Sequence, residues 1–531
     1  MDFVSDPPIP TKIRKMKARV RWQEQSICQR GIDQTQLVID DGYADNPAFS
    51  FLVIGDSGTG YHLDHSPQRK IAELLLEQRQ NCRFLLHTGD VVYHVGSSEY
   101  YPHNFISPYR EFLVDGVENY RNIAYDRMTF NFPFLPVPGN HDYYDLPKLY
   151  GLIYQLTWLP RRLLKNKVDL DVGWHGSYQG ETYARAFLDC LGSLDPSTLD
   201  QHLEHHYTAK ADTGNCLRYL PGLFTRLPNR YYSFRYGGID FFALDSNTFN
   251  TPAPIPDTEV GQILRNQLHK RYAELEQQQN QLQEEATRLS WDHPLEAERL
   301  DDIGARIEHL EESRMDIEKR LQDKSEAIND LEQLEWLRQR LIQSWQNESV
   351  RGRIVYFHHP PYVTEATKWE QGQTLEVRFN LRRVLDAVSE EVREFTGDRP
   401  LIDLVLNGHA HCLEHLQTEA TGHGDARIHW LVCGGGGHSL RRQRPEGNEL
   451  EEILADGQTQ KVTHSRLFIG RHGQGKAKHR PYSAARIDVL PGEPLQIRIQ
   501  PLVAQRFQTQ WQTLKYDPFV IQPDPASSNA N

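Results

Sequence analysis

Gly139-Asn140-His141-Asp142 follows the apolar run Phe132-Pro-Phe-Leu-Pro-Val-Pro138 and is the stretch that decides how this sequence folds. It places an amide, an imidazole and a carboxylate in the loop after a short β-prone segment. In an open α/β sheet, ligands bind at the loops that leave the carboxyl ends of the strands. Polar side chains in this position therefore predict a ligand site at one edge of a sheet.

Four other motifs repeat this arrangement of an apolar strand followed by polar loop residues. They are Gly55-Asp56-Ser57-Gly58 after Phe49–Ile54, Gly89-Asp90-Val91-Val92-Tyr93 after Phe84–Leu86, Val355-Tyr356-Phe357-His358, and Gly408-His409-Ala410-His411 after Leu404–Leu406. A single Gly-Asp after a strand is commonly a turn or a helix cap. Five such motifs along one chain instead predict that their loops converge on one site.

The five motifs together supply carboxylates, imidazoles, an asparagine and a tyrosine. Mixed oxygen and nitrogen donors suit transition metals such as zinc, iron and manganese. The six cysteines are scattered without Cys-x-x-Cys spacing, so a structural zinc cluster is not indicated. The sequence therefore predicts a catalytic metal site. The glycine run Gly434–Gly437 is expected to let the backbone pass close to that site.

The motifs read D-x-G, G-D-x-x-Y, G-N-H-D, V-x-x-H and G-H-x-H, and in this order the chain resembles the calcineurin-like metallophosphoesterases. It looks most like their purple acid phosphatase branch, because Asp56-Ser57-Gly58 stands where most of the superfamily has D-x-H. The resemblance covers the strands and loops between Asp56 and His411 and leaves out the insertions. It implies an α/β (α+β) fold, a four-layer β-sandwich flanked by helices.

The resemblance also implies two metal ions that share one ligand. The residues expected at the first ion are Asp56, Asp90, Tyr93 and His411. The residues expected at the second ion are Asn140, His358 and His409, with Asp90 bridging the two. Tyr93 implies ferric iron at the first position, paired with iron, zinc or manganese, whereas a reducing compartment would favour manganese, zinc or ferrous iron.

The expected reaction is hydrolysis of a phosphate ester. Two metals roughly 3.5–4 Å apart hold a bridging hydroxide and clamp both oxygens of an in-line displacement at phosphorus. His141 is the candidate general acid for the leaving alkoxide. Asp142 either orients that imidazole or caps loop amides, and the sequence leaves both interpretations open. His359, next to His358, is expected to support the catalytic site without binding a metal.

Two other functions remain open on the sequence. One is a phosphodiesterase that acts on nucleotide or lipid-type diesters. The other is an interaction scaffold in which a coiled coil is the working part and the metal site is not catalytic. Metal ligands specify the phosphoryl centre, while insertions and loops specify the leaving group, so the substrate itself is not predicted.

The bulk composition excludes some classes of partner. The 531 residues are 38% hydrophobic and carry a formal net charge of −13, which argues against a nucleic-acid surface. Scattered cysteines, no apolar segment typical of a signal peptide and no long apolar run predict a cytoplasmic protein without membrane contact. The basic segment Lys12–Arg21 is expected to be a solvated extension or a surface-binding arm.

The order of patterns predicts a metallophosphoesterase core with insertions. A crossover helix at Ile71–Gln80 and a hairpin around Gly237-Gly238 belong to this core. The predicted segments are an N-terminal basic helical extension (1–47), a first half of the core (48–256) with a lid-like insertion (143–229), a coiled-coil hairpin (257–333), a second half of the core (334–510) and a C-terminal tail (511–531).

The two insertions carry distinct patterns. The first contains the apolar run Tyr150–Leu159 with a basic end, which fits a lid, a helix on lipid or a helix packed on the core. The second has heptad spacing at Leu268, Leu275, Leu282 and Leu289, and after a break a second apolar stripe from Leu300 to Leu331. This spacing predicts an antiparallel coiled coil that pairs only with itself, docks a protein partner or mediates self-association.

Overall fold

The computed structural model describes residues 4–59, 66–146, 176–252, 254–290, 294–321, 329–397, 399–453, 458–473 and 477–522. Its helices are α1 (Ile9–Arg19), α2 (Gln25–Cys28), α3 (Pro67–Arg79), α4 (Gly116–Asn119), α5 (Glu181–Phe187), α6 (Pro196–His206), α7 (Glu259–Ala286), α8 (Pro294–Leu321), α9 (Leu331–Gln346) and α10 (Gly372–Thr396). None of the helices in these ranges is both long and apolar enough to cross a membrane.

The strands of the described ranges are short in the first half of the chain and longer in the second. They are β1 (Ile32–Ile39), β2 (Phe49–Ile54), β3 (Leu85–His87), β4 (Phe134–Pro136), β5 (Ala209–Ala211), β6 (Gly214–Tyr219), β7 (Tyr232–Tyr236), β8 (Ile239–Ala243), β9 (Gly352–Tyr356), β10 (Leu404–Asn407), β11 (Leu413–Thr418), β12 (His429–Cys433), β13 (Glu449–Ile453), β14 (Thr459–Ile469), β15 (His479–Val489), β16 (Ile497–Phe507), β17 (Gln510–Lys515) and β18 (Phe519–Ile521).

These strands form two mixed sheets. The 11-stranded sheet has the order β13-β14-β11-β12-β10-β9-β8-β7-β1-β6-β5, and the 7-stranded sheet has the order β17-β16-β15-β2-β3-β4, with β18 also paired to β16. In the smaller sheet β2, β3 and β4 are parallel. In the larger sheet β8, β9, β10 and β12 are parallel. The carboxyl ends of each parallel set therefore lie along one edge of its sheet.

Aromatic side chains fill the space between the two sheets. The ring of Phe241 on β8 lies 5.5 Å from the ring of Phe51 on β2 and 5.4 Å from that of Phe84 before β3. On the other face of the larger sheet, α9 and α10 bury Leu337 and Leu385 in a second core, and α3 packs on β15 and β16 of the smaller sheet. The predicted architecture of two mixed sheets flanked by helices is confirmed.

The structure differs from the predicted boundaries at both ends of the chain. Within the segment 1–47, β1 lies between β6 and β7 of the larger sheet, so only part of that segment is a helical extension. Within the segment 511–531, β17 and β18 pair with β16. Strand β17 lies at the edge of its sheet and none of its residues is buried, so polar residues are tolerated there.

Lys12 is not the solvated residue that its basic segment predicts. Its side chain is fully buried, and its ammonium group lies 2.6 Å from Asp6 and 5.1 Å from the centre of the Tyr143 ring. Ser5 forms two backbone hydrogen bonds with Asp145. The N-terminal segment is thus packed beside the loop that carries His141 and Asp142.

The second insertion forms a pair of 28-residue helices, α7 and α8, which pack against each other. Gln279 on α7 donates to Glu311 on α8, and Tyr272, earlier on α7, donates to Glu318, later on α8. The two helices are therefore antiparallel. Its apolar contacts join the heptad leucines to the second stripe: Leu268, Leu275, Leu282, Ile303, Leu310 and Ile317. The supercoil of a true coiled coil stays a prediction, as does a protein partner.

The first insertion's apolar run, 150–159, lies outside the described residues.

A buried ion-pair cluster joins the second insertion to the core. Arg230 is 2% exposed and its guanidinium donates to Asp245, which follows β8, at 3.1 Å. It also donates to Asp330, the residue at the start of α9. Tyr143 donates its hydroxyl to the same Asp245 oxygen at 2.7 Å. One cation thus links three segments that are distant along the chain.

Replacing Arg230 with methionine is expected to lower the free energy of unfolding by about 3–5 kcal/mol, because it leaves two buried carboxylates without their cation. Urea unfolding followed by circular dichroism measures this change. Arg185→Met is the matched control, since Arg185 is half exposed and pairs with Glu181 on a helix surface. A loss no larger than that of the control would contradict the assignment of a stabilising role to this cluster.

Candidate metal centre

All five sequence motifs follow parallel strands at the shared edge of the two sheets. Asp56 follows β2, Asp90 follows β3, Asn140 follows β4, His358 follows β9 and His409 follows β10. The backbones of Asp56, Asp90 and His409 are left-handed, with φ of 55°, 55° and 65°. Non-glycine residues adopt this conformation rarely, and such residues cluster at functional sites.

Gly139 shows how closely the loops approach each other. A Cβ atom at this position would lie 2.1 Å from Asp90 Oδ1. Only glycine allows the Gly-Asn-His-Asp loop to pass beside the carboxylate of the neighbouring motif. The backbone amide of His141 then donates to Asp90 Oδ1 at 2.8 Å, which fixes the orientation of that carboxylate.

The first group of side chains centres on the Tyr93 hydroxyl. This oxygen lies 2.8 Å from Asp56 Oδ1 and 2.8 Å from Asp90 Oδ2. It lies 3.4 Å from His411 Nε2, and the same nitrogen is 3.6 Å from Asp56 Oδ1. All four side chains are buried. The structure thus brings together the four residues expected at the first metal position.

The second group centres on His358 Nε2. This nitrogen lies 2.9 Å from Asn140 Oδ1 and 3.2 Å from Asp90 Oδ2. The ring centres of His358 and His409 are 5.0 Å apart. Asp90 therefore belongs to both groups, which is the position expected of a ligand shared between two metal ions. The roles of these seven side chains as metal ligands remain a proposal.

Backbone carbonyl groups orient two of the imidazoles. His358 Nδ1 donates to the carbonyl oxygen of Thr88 at 2.9 Å, and His411 Nδ1 donates to that of Ser439 at 2.9 Å. A histidine that binds a metal commonly donates its other ring N–H in this way. In both residues the contact leaves Nε2 as the nitrogen that faces the carboxylates.

Burial shapes the electrostatics of the cluster. It raises the pKa of the Asp56 carboxyl well above its usual range, and the Asp90 charge adds to this effect. Burial also raises the pKa of the Tyr93 phenol, with Asp56 and Asp90 contributing. For His358, burial opposes the charged form, but Asp90 outweighs it and raises the pKa to about 9. Two carboxylates and a phenol held together in this way fit a bound cation of high charge.

Compact sets of donor atoms are consistent with a site for metal ions. Ligand atoms of Asp56, Asp90 and His358 all lie within 4.8 Å of one another, and so do those of His358, His359 and His409. His359 thus lies beside the second group. Its Nδ1 is 2.8 Å from Ser246 Oγ and its Nε2 is 3.3 Å from Asn250 Nδ2. Because protein groups contact both ring nitrogens, these contacts favour the predicted supporting role.

His141 and Asp142 have separate environments although they are adjacent. His141 is 5% exposed, its Nδ1 donates to the His94 carbonyl at 2.5 Å, and its ring centre is 4.3 Å from that of Tyr93. Asp142 accepts from the Gly139 amide at 2.9 Å and the Val91 amide at 3.1 Å. These contacts favour the loop-capping interpretation of Asp142, and the His94 carbonyl is the group that orients His141.

Sequence reasoning missed His438, whose ring stacks on that of Tyr93 with centres 3.9 Å apart. The Gly434–Gly437 run leads directly to it. A Cβ atom on Gly434 would lie 3.0 Å from Asp56 Oδ2, so this run does pass close to the site, as predicted. The signal that could have identified His438 is its position directly after a glycine run that approaches the first motif.

The sequence matches no protein-family model and no curated protein. Among solved structures, the chain is similar to purple acid phosphatase PPD1 from yellow lupin (Lupinus luteus) seeds, with 12% identity, a TM-score of 0.41, and coverage of 90% of this chain and 55% of that chain. It is also similar to GAP50, the anchor in the inner membrane complex of Plasmodium, with 10% identity, a TM-score of 0.37 and coverage of 90% of each chain. For PhoD the identity is 13%, the TM-score is 0.38, and the coverage is 91% of this chain and 71% of that chain. This chain spans little more than half the length of the lupin protein.

Proposed function

We propose that this protein is a dinuclear-metal-dependent phosphoric ester hydrolase. The observation that carries the proposal is the position of Asp90, whose Oδ2 lies within hydrogen-bonding distance of both Tyr93 and His358. One carboxylate thus joins two groups of oxygen and imidazole donors. A pair of metal ions with a shared carboxylate is the arrangement used in many phosphatases and nucleases.

Each metal position would draw on one group of side chains. The first would be held by Asp56, Asp90, Tyr93 and His411. The second would be held by Asn140, His358 and His409 together with Asp90. Bound metal ions would acidify a water molecule and stabilise negative charge on the phosphoryl group. Iron at the first position and iron, zinc or manganese at the second fit these donors.

His141 would protonate the leaving oxygen. It stands beside Tyr93 at the first group and is nearly excluded from solvent. Because its Nδ1 donates to the His94 carbonyl, the proton transferred to the ester oxygen would be carried by Nε2. General acid catalysis of this kind contributes about 10²–10⁴-fold to a rate.

Hydrolysis assays after metal loading test this function. The protein would be loaded separately with iron, zinc and manganese and assayed with 4-nitrophenyl phosphate and bis(4-nitrophenyl) phosphate. We expect metal-dependent hydrolysis of the monoester. A preference for the diester would instead support a phosphodiesterase. No hydrolysis of either ester by protein that holds two metal ions would contradict the proposal and favour a scaffold.

Tyr93→Phe is expected to remove a visible absorption band from iron-loaded protein, because a phenolate bound to ferric iron absorbs visible light and phenylalanine cannot bind. Absorption spectra of the two proteins at equal iron content measure this effect. Tyr144→Phe is the matched control, since Tyr144 is buried and lies 4.9 Å from His141, ring centre to ring centre. A band that persists in Tyr93→Phe would rule out the tyrosine as an iron ligand.

A further inference from the structure

One polar stripe of helix α8 faces the rest of the chain instead of solvent. Glu312, Asp316 and Lys319 are spaced by four and three residues, so they lie on one side of the helix. Glu312 pairs with Lys368, and Lys319 lies 2.7 Å from Asp6. The apolar stripe of α8 packs on α7. The inserted hairpin therefore does more than pair with itself, because its second helix is docked on the core beside the metal centre.

Asp316 caps a helix that belongs to another part of the chain. Its two carboxylate oxygens accept from the backbone amides of Gly372 and Gln373, at 2.9 Å and 3.1 Å. These amides begin α10, where Gln371 occupies the cap position and makes no side-chain cap of its own. Amides in the first turn of a helix have no partner within the helix, and an anion there is stabilised by the helix dipole.

The fit between α8 and the start of α10 is tight. A Cβ atom on Gly372 would lie 3.0 Å from Arg320 Cδ and 3.2 Å from Asp316 Oδ1. Asp316 is 5% exposed and Gln371 is 7% exposed. The position of α8 therefore determines where the backbone of Gln371 lies.

Gln371 carries this positioning to the metal centre. Its side chain does not cap α10 and instead approaches His409, where Oε1 lies 3.4 Å from Nε2. An amide oxygen only accepts, so this contact favours the His409 tautomer that carries its proton on Nε2, in which Nδ1 is the nitrogen able to bind a metal. A histidine ligand whose other N–H is held by such an acceptor has its tautomer and ring orientation fixed.

A parallel set of contacts reaches His359. Gln373 Oε1 accepts from Asn250 Nδ2 at 2.9 Å and from Lys319 Nζ at 3.4 Å. Asn250 Nδ2 is in turn 3.3 Å from His359 Nε2. Both routes begin on α8; the first ends on His409 of the second group, and the other ends on His359 beside that group.

We propose that Asp316 is a positioning residue for the second metal position, acting through Gln371 on His409. This inference rests on the proposed function, because it assigns a metal to His409. Through this one residue, the inserted hairpin helps to orient a ligand of the second metal position. Removing the Asp316 carboxylate leaves the Gly372 and Gln373 amides without their acceptor. Gln371 is then held less firmly, and its contact no longer fixes the tautomer and ring orientation of His409.

Equilibrium dialysis of full-length protein against Mn²⁺ tests the inference. Asp316→Ala is expected to weaken binding of the second Mn²⁺ equivalent by about 10–100-fold and to leave the first unchanged, as is common when a group that orients a metal ligand is lost. Asp316→Asn should restore part of the affinity, because its single amide oxygen can accept from one of the two backbone amides that the carboxylate holds. Gln371→Ala should reproduce the loss, and Asp316→Ala added to it should weaken binding no further.

Glu318→Ala is the matched control. It removes a contact of α8 with Tyr272 on α7 and should leave both equivalents unchanged. Equal second-site affinity in Asp316→Ala and wild type, or additive losses in the double variant, would overturn the inference. If wild type binds two equivalents and the variants behave as expected but no ester is hydrolysed, the proposed function alone fails.

Discussion

Asp90→Asn is expected to lower metal-dependent phosphoester hydrolysis by on the order of 10³-fold, because the loss of metal-ion catalysis removes several kcal/mol of transition-state stabilisation. The amide keeps the size of the side chain but loses the charge that both donor groups share. In the structure this carboxylate contacts Tyr93, His358 and the His141 amide. The same variant should also bind fewer metal ions per chain, measured by elemental analysis after dialysis.

Asp403→Asn is the matched control for this result. Asp403 is also buried, and its carboxylate accepts from the backbone amide of Arg353. It immediately precedes β10, so it lies at the opposite end of that strand from His409. It should retain both metal content and activity. Full activity in Asp90→Asn at full metal content would contradict the role of a shared ligand.

His141→Asn is expected to slow hydrolysis of an alkyl phosphate by about 10²–10⁴-fold, the usual contribution of a general acid. Hydrolysis of 4-nitrophenyl phosphate should slow much less, because 4-nitrophenolate leaves without help from a proton. The dependence on leaving group separates proton donation from simple damage to the site. Steady-state rates for both esters at saturating metal measure it.

Two observations complete the His141 experiment. The metal content of His141→Asn should equal that of wild type, since His141 is not assigned as a ligand. His423→Asn, at an exposed histidine paired with Asp386, should leave both rates unchanged. Equal losses for the alkyl and the 4-nitrophenyl ester would argue against His141 as the acid.

The predicted site residues that the structure brings together share one property, since each lies in the loop that follows an apolar strand. Because parallel strands place their carboxyl ends at one edge, local patterns around Asp56, Asp90 and His358 were enough to predict that distant loops meet. The hairpin at Gly237-Gly238 was also predictable from a local pattern, a pair of glycines between two β-prone segments. Its two residues have φ of 56° and 75°, which glycine adopts without strain.

Asp142 marks the limit of this reasoning. An aspartate next to the proposed general acid His141 fits two roles, and only the positions of the Gly139 and Val91 amides distinguish them. Lys12 was misjudged because its partner, Asp6, and the Tyr143 ring that covers it leave no pattern in the sequence around it. Burial of a charge depends on which segments fold over it.

Asp316 and Gln371 could not be identified from the sequence at all. Neither belongs to a motif, and the hydrogen bond from the Gly372 amide to Asp316 joins residues 56 positions apart. The heptad pattern of the insertion predicted the apolar face of α8 that packs on α7. It gave no indication of the polar stripe of α8 that contacts the rest of the chain. A periodic pattern predicts which residues pack within the hairpin, whereas contacts with the rest of the chain depend on where the hairpin docks.

The two donor groups joined by Asp90 are proposed to hold a pair of metal ions. Elemental analysis of purified protein, repeated after soaking with iron, zinc or manganese and dialysis, measures whether they do. The predicted result is two metal ions per chain in wild type and fewer in Asp90→Asn. Protein that carries no metal as purified and takes up none on soaking would contradict the claim.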